Sequence, residues 1–339
     1  MIKIYKILFF NLIIISTLIS ISAMSWFSAW MGLEMNLLAI LPLMKNSNNK
    51  NSAEASIKYF IVQAMASSCL LFFLILFSNI YPLNYIFNLN LLPSMVINST
   101  LLLKMGVAPF HFWLPEVVSG LSWKMVFIIL TWQKIAPMIL LSYYMKSSSF
   151  FSVIIILSSL VGGIQGMNQV CLRKIMAYSS INHMGWMICS LLSSLNLWFY
   201  YFCIYSLTNF NVLVMFHQFR MYQLNHLSKI FPLNKNLKFM FMLNFLSLGG
   251  LPPFIGFFPK WMTIYFLITF NYYTLCFFIV ILTLPTLFFY LRISLLSFTI
   301  SSSESLSIPK IYTQNSFYFY LNICLLSGMP LCFMLSNSI

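Results

Sequence analysis

Four charged residues stand in stretches that offer them no water: Glu34 in WMGLEMN, Lys104 in LLKMGVAPF, Lys134 in TWQKIAP and Lys260 in FFPKW. A lysine at the centre of a bilayer costs about 2.5 to 3.5 kcal/mol to insert, so each needs a protein partner or water to offset it. Lys104 and Lys134 lie about half a span from either end of their segments. At about 1.5 Å per residue that is roughly 16 Å deep, beyond comfortable snorkelling. Lys260 follows an interruption in its segment, which leaves snorkelling open as an alternative. Glu34 is the acidic residue at the same depth and the natural counter-charge. An opposite charge within about 4 to 6 Å favours the ammonium form and desolvation favours the amine, so opening and closing such a pair loads and unloads a proton. The chemistry these residues could do is therefore proton transfer; the alternative is a static buried ion pair. His111, two residues beyond Pro109, and His183, in SSINHMGW, are candidate relays because imidazole titrates near neutral pH. His183 could equally hydrogen-bond a neighbouring helix. His217 and His226 read as interfacial, and Glu116 as a surface charge.

These side chains must be held by membrane helices. Of 339 residues, 61% are hydrophobic and 6% charged, against about 25% charged in soluble domains, which excludes a water-soluble globule. Eighteen Lys and Arg face four acidic residues, for a net charge of +14. The charges fall between apolar stretches and not on one polar face, so they mark membrane orientation and exclude nucleic acid as a partner. Apolar windows predict an all-α polytopic membrane protein of about eleven spans: 4–23, 26–44, 57–79, 93–118, 122–145, 150–168, 174–194, 196–218, 238–270, 274–298 and 317–336. The first run resembles a signal peptide but is longer than the usual apolar core of one, so it is expected to stay as a span. With this count, fourteen Lys and Arg lie on the side of the N-terminus and only Lys146 on the other. Short polar linkers are expected at 45–53, 221–236 and 301–314. Cysteine pairs at metal spacing, glycine-rich phosphate loops and nucleophile elbows are absent from the sequence, so no metal and no cofactor is expected in this chain.

The fourth and ninth spans share the pattern GxxPFxxxxP, as Gly106, Pro109, Phe110 and Pro115 and again as Gly250, Pro253, Phe254 and Pro259, with Pro252 adjoining the second. Proline withholds an N–H and crowds the carbonyl four residues earlier, so each span should unwind there. Five spans apart, the two run in opposite directions. The pattern therefore predicts an inverted repeat with two discontinuous helices, repeat one about 1–146 and repeat two about 147–300, with an extra C-terminal helix at about 315–337. Interrupted helices in corresponding halves point to a transport site, because irregular backbone survives in a membrane only against protein or a wet cavity. Accidental proline kinks are the plainer alternative.

From about residue 26 to 295 the segments WMGLEMN, EASIKYF, LLKMGVAPFHFWLPE, TWQKIAP, SSINHMGW and SLGGLPPFIGFFPKW occur in an order that resembles the subunit 2 family of mitochondrial NADH:ubiquinone oxidoreductase, respiratory complex I, in its short insect form. The resemblance implies an antiporter-like, proton-translocating subunit of the membrane arm. By similarity Glu34 and Lys104 form a Glu/Lys pair, Lys134 is the central lysine and Lys260 the lysine after the second break. It further implies that NADH, FMN, iron–sulfur clusters and ubiquinone belong to other chains. The partners implied are subunits 4 and 4L, accessory subunits and lipids such as cardiolipin. The location implied is the mitochondrial inner membrane, N-terminus in the matrix and C-terminus in the intermembrane space. A free-standing cation/proton antiporter and a structural spacer are the competing readings; the absence of Asp speaks against a cation site.

Overall fold

The computed structural model describes residues 4–45, 49–80, 91–145, 147–230, 235–252 and 254–299, and the apolar runs among them are helices. In chain order these are α1 (Ile4–Ile21), α2 (Trp26–Met44), α3 (Lys50–Ile80), α4 (Leu91–Met105), α5 (Trp113–Gly120), α6 (Trp123–Leu130), α7 (Trp132–Ser142), α8 (Ser148–Met167), α9 (Leu172–Ser193), α10 (Leu195–Gln218), α11 (Lys235–Gly249), α12 (Phe257–Thr269) and α13 (Tyr273–Thr299), with a 3-10 turn at Leu224–Ile230. No strand occurs among the described residues; Cys171 and Gln223 form an isolated bridge. Six segments among them are long and apolar enough to cross a membrane: Trp26–Met44, Lys50–Phe77, Trp123–Ser142, Ser148–Met167, Leu195–Gln218 and Tyr273–Leu295. Pro253, the linker at 301–314, the span at 317–336, and Lys3, Lys146 and Lys310 lie outside the described residues.

Two boundaries differ from the sequence expectation. The linker expected at 45–53 is shorter, because α3 begins at Lys50; its first turns carry Lys50, Glu54 and Lys58, residues that favour a helix projecting from the apolar run. The fifth span is not continuous. It divides at Thr131 (φ −118°, ψ −75°) into α6 and α7. The Thr131 hydroxyl donates to the Phe127 carbonyl at 2.6 Å, a back-bond that bends helices, and Pro137 lies inside α7.

The chain divides into two compact units, Met1–Ser158 and Ser159–Ile339. In the first, α2 opens on a capping box in which Ser25 and Ser28 exchange side-chain and backbone bonds, satisfying donors that a helix start leaves free. α3 packs against α2, α4 and α5, and α7 against α1, α4 and α6. In the second unit α9 is the central element: it touches α10, α12 and α13 and is buried almost throughout, Ser179, Ser180, Asn182 and His183 included. Close approach needs small residues. A Cβ on Gly162 would meet the Asn182 nitrogen at 2.9 Å, and one on Gly166 would meet Phe289 at 2.9 Å, so the glycine face of α8 admits α9 and α13. Phe216, Phe241, Phe245 and Tyr290 join α10, α11 and α13 through ring contacts of 5.0 to 6.2 Å.

Candidate functional site

Both GxxPF segments end a helix in the same way. α4 stops at Gly106 (φ 71°) and α11 at Gly250 (φ 74°), backbone settings that an L side chain adopts only at a cost. Around the first, Gly106 N–H donates to Leu103 O and Val107 N–H to Leu102 O, both at 3.2 Å; around the second, Gly250 N–H donates to Ser247 O at 3.0 Å and Leu251 N–H to Leu246 O at 3.2 Å. This is the glycine-terminated Schellman arrangement. The following turns also match, with Phe110 N–H on Val107 O at 2.8 Å and Phe254 N–H on Leu251 O at 3.0 Å. Beyond residues 106–112 and 250–256, α5 and α12 begin.

The side chains at the two breaks differ. In the first unit the Trp113 indole donates to Leu103 O at 3.1 Å, and the Gln63 amide to Lys104 O at 3.0 Å. Neutral groups thus take up carbonyls near the helix end. Lys104, on the last turn of α4, is 7% exposed and faces a cavity with Asn36, Tyr59, Gln63, Gln133 and Pro137. Glu34, half-buried on α2, acts electrostatically on Lys104 but does not touch it. The Glu34 carboxylate instead accepts a 2.5 Å bond from the Ser67 hydroxyl on α3. Among the described residues the contact ion pairs are Lys58–Glu54 and Lys58–Glu116, each at 2.9 Å. The expected Glu34–Lys104 pair is therefore a pair at a distance in this structure, because a hydroxyl on the neighbouring helix holds the carboxylate.

Lys134 is 1% exposed and lies in the first turn of α7, directly after the interruption at Thr131; its N–H donates to Thr131 O at 3.1 Å. The neighbouring Gln133 exchanges two amide bonds with Asn36 of α2, at 2.9 and 3.0 Å. Sequence reasoning missed Ser67, Gln63, Gln133 and Asn36. Nothing in the sequence singles them out, because their partners lie on separate helices.

In the second unit Lys260, 8% exposed, reaches back across the break. Its ammonium donates to Gly249 O, the last carbonyl of α11, at 2.8 Å, and lies 5.8 Å from the Trp186 ring centroid. The negative end of a helix and an aromatic face therefore partner this lysine in place of a carboxylate. A Cβ on Gly250 would meet Lys260 Cδ at 2.7 Å, so the glycine makes room for the lysine as well as ending the helix. Gly256 lies against Ser247 O, where a Cβ would fall at 1.7 Å.

Of the two relay candidates, His183 is buried on α9, 3.0 Å from the Tyr201 hydroxyl through Nδ1 and 5.0 Å from the Tyr205 ring centroid. This is the neighbouring-helix bond expected as one of its two roles. His111 is buried in the first break, its Nδ1 3.3 Å from Pro109 O. His217 and His226 lie toward the surface, and Glu116 is exposed.

A family model described as NADH:quinone oxidoreductase/Mrp antiporter, TM, matches residues 23–286. A protein of Anopheles gambiae named NADH-ubiquinone oxidoreductase chain 2 is 48% identical over 294 residues, covering 86% of this chain and 85% of the relative. One of the same name from Aedes aegypti is 45% identical over 332 residues, covering 97% and 96%. Among solved structures, a chain of respiratory complex I from Thermus thermophilus aligns with a TM-score of 0.85 at 21% identity, covering 97% of this chain and 78% of that one. A chain of the Mrp complex from Dietzia sp. aligns with a TM-score of 0.76 at 15% identity, covering 96% and 74%. These two alignments share the helical fold.

Proposed function

The chain belongs to the NADH:quinone oxidoreductase/Mrp antiporter transmembrane family, and from that premise we propose that it is a core membrane-arm subunit of respiratory complex I, translocating protons across the mitochondrial inner membrane. The observation that carries the reading is the burial of Lys104, Lys134 and Lys260 to 7%, 1% and 8% exposure, each beside an interrupted helix, in a chain so similar to proteins named NADH-ubiquinone oxidoreductase chain 2. The proton path runs through Glu34, Lys104, Lys134 and Lys260, with His111 and His183 as secondary relays. Glu34 shuttles between Ser67 and Lys104: approach loads the lysine, retreat releases its proton to Lys134.

Moving one proton against 100 mV costs about 2.3 kcal/mol. That energy comes from NADH oxidation and ubiquinone reduction in other chains, which also hold FMN and the iron–sulfur clusters; this chain carries no cofactor and no redox step. Two opposed repeats, about 1–146 and 147–300, each with a discontinuous helix, make up most of about eleven crossings. The lysine-rich loops and the N-terminus face the matrix, the C-terminus faces the intermembrane space, and subunits 4 and 4L, accessory chains and cardiolipin border the bundle. The test is Lys104→Met in the assembled complex. Loss of proton translocation in a particle of normal composition is the expected result. Undiminished pumping would leave the chain a spacer, and recovery of the chain outside any NADH-oxidising assembly would make it a free-standing antiporter.

A further inference from the structure

α9 and α10, joined at Ser194, bring one histidine against two tyrosines. On α10 the buried residues Tyr201, Tyr205 and Asn209 recur every four positions and so share one stripe of the helix. The first two meet His183 of α9. The Tyr201 hydroxyl lies 3.0 Å from His183 Nδ1, and the Tyr205 ring packs on the imidazole at 5.0 Å between centroids and 47° between planes. One contact fixes the edge of the imidazole that faces α10, and the other closes its flank.

The distance alone allows either atom to donate, and the direction follows from what each choice leaves unmade. Among the described residues the bond to Nδ1 is the one hydrogen bond of the Tyr201 hydroxyl. Were Nδ1–H the donor, the O–H would be a buried donor with no protein acceptor, an arrangement that folded proteins avoid. With the hydroxyl donating to the Nδ1 lone pair, both atoms are satisfied. A neutral imidazole that accepts at Nδ1 carries its proton on Nε2.

We propose that Tyr201 is the positioning residue of His183: its hydroxyl holds the neutral ring as the Nε2–H tautomer and makes Nδ1, on the α10 edge, the nitrogen that gains and loses a proton. This role rests on the reading of His183 as a secondary relay and specifies how that side chain is used. To charge, one proton of the relay adds at Nδ1, and the Tyr201 hydroxyl turns from donor to acceptor of the new N–H. To discharge, that N–H bond breaks, its proton returns to the relay, and the O–H turns back. Tyr201 keeps its own proton throughout, and the Nε2 proton stays in place.

The experiment records imidazole C–N stretching bands of the intact isolated complex by infrared spectroscopy, with histidine nitrogen-15-labelled in the ring, and subtracts the spectrum of His183→Gln to isolate this residue. Proton translocation per NADH oxidised is measured alongside. The expected wild-type signal is the Nε2–H tautomer alone. Tyr201→Phe should show both neutral tautomers, with translocation reduced severalfold. Tyr205→Phe keeps the packed ring and the Tyr201 hydroxyl, and should keep the wild-type signal; it carries the test together with the wild type if Tyr201→Phe fails to assemble. An Nδ1–H tautomer or an imidazolium in the wild type, an unchanged signal in Tyr201→Phe, or the same change in Tyr205→Phe each overturns the proposal. The His183→Gln complex separates the two levels. Wild-type pumping there sinks the relay reading of His183 itself, whereas pumping lost with His183→Gln but unchanged with Tyr201→Phe sinks only the role of Tyr201.

Discussion

The two interrupted segments share one backbone and use charge in opposite ways. Each ends its first helix on a glycine with φ above 70° and closes it with the same pair of hydrogen bonds, because Gly and Pro at fixed spacing leave the chain little else to do. The residue after the last proline of the pattern is Glu116 in the first segment and Lys260 in the second. Glu116 points outward and meets Lys58 at 2.9 Å with both side chains well exposed; Lys260 turns inward onto the Gly249 carbonyl. Lys104, one of two buried lysines of the first unit, stands instead on the helix before the break, and the carboxylate that could answer it, Glu34, is attached to Ser67. A carbonyl dipole cannot take up a proton and a carboxylate can. The first unit therefore sets Lys104 near, but out of contact with, a group that can change state, and the second holds Lys260 on one that cannot.

The sharpest way to break this contrast is to remove the two ammonium groups separately. Lys104→Met and Lys260→Met should each lower proton translocation by the assembled complex about tenfold or more, about 1.4 kcal/mol at the transition state. A normal rate for Lys260→Met would reduce that residue to a structural cap on α11.

Next come the two glycines. Alanine at either must adopt a left-handed backbone, at a cost of roughly 1 to 2 kcal/mol. Only at Gly250 does the added methyl strike the functional lysine, at 2.7 Å; at Gly106 it meets Trp113 at 3.1 Å. Gly250→Ala should depress translocation well beyond Gly106→Ala at comparable losses of thermal stability. Equal losses of activity would remove the distinction.

A smaller effect is expected of Trp113→Phe, which deletes the indole bond to Leu103 O. It should cost about 0.5 to 1.5 kcal/mol in stability, read from thermal unfolding of the complex, with translocation per NADH unchanged. Smallest of all is Glu116→Gln. It loosens an exposed pair, the kind that contributes little, and should leave pumping as it was despite occupying the place that Lys260 holds in the other segment.

Much of this was legible in the residues. Helix ends from α1 to α13 fall within a few positions of the apolar windows, except where α3 runs on into its charged leader, because length and hydropathy are what a bilayer selects. The breaks at 106 and 250 were legible because Gly and Pro act on the backbone directly. The interruption at Thr131 was not: it falls at a hydroxyl back-bond six residues before Pro137, and Thr208 makes the same bond inside the continuous α10. Nor was the choice of partners. Ser67 for Glu34, Gln133 for Asn36 and Gly249 O for Lys260 depend on which faces of separate helices meet, and a neutral polar residue looks the same in sequence whether or not its partner is across from it.

α9 carries a consequence for how the protein is made. It is central to its unit and buried on every side, yet it is not among the segments apolar enough to cross a membrane on their own. Ser179, Ser180, Asn182 and His183 gain nothing from lipid. Such a segment enters the bilayer only in company, so α8, whose glycine face receives it, and α10, which follows it after one residue, must be at the insertion machinery with it. Assembly of this half is then cooperative from its first moments, and a substitution on the α8 glycine face should appear first as failed insertion, before any folded subunit exists to be assayed.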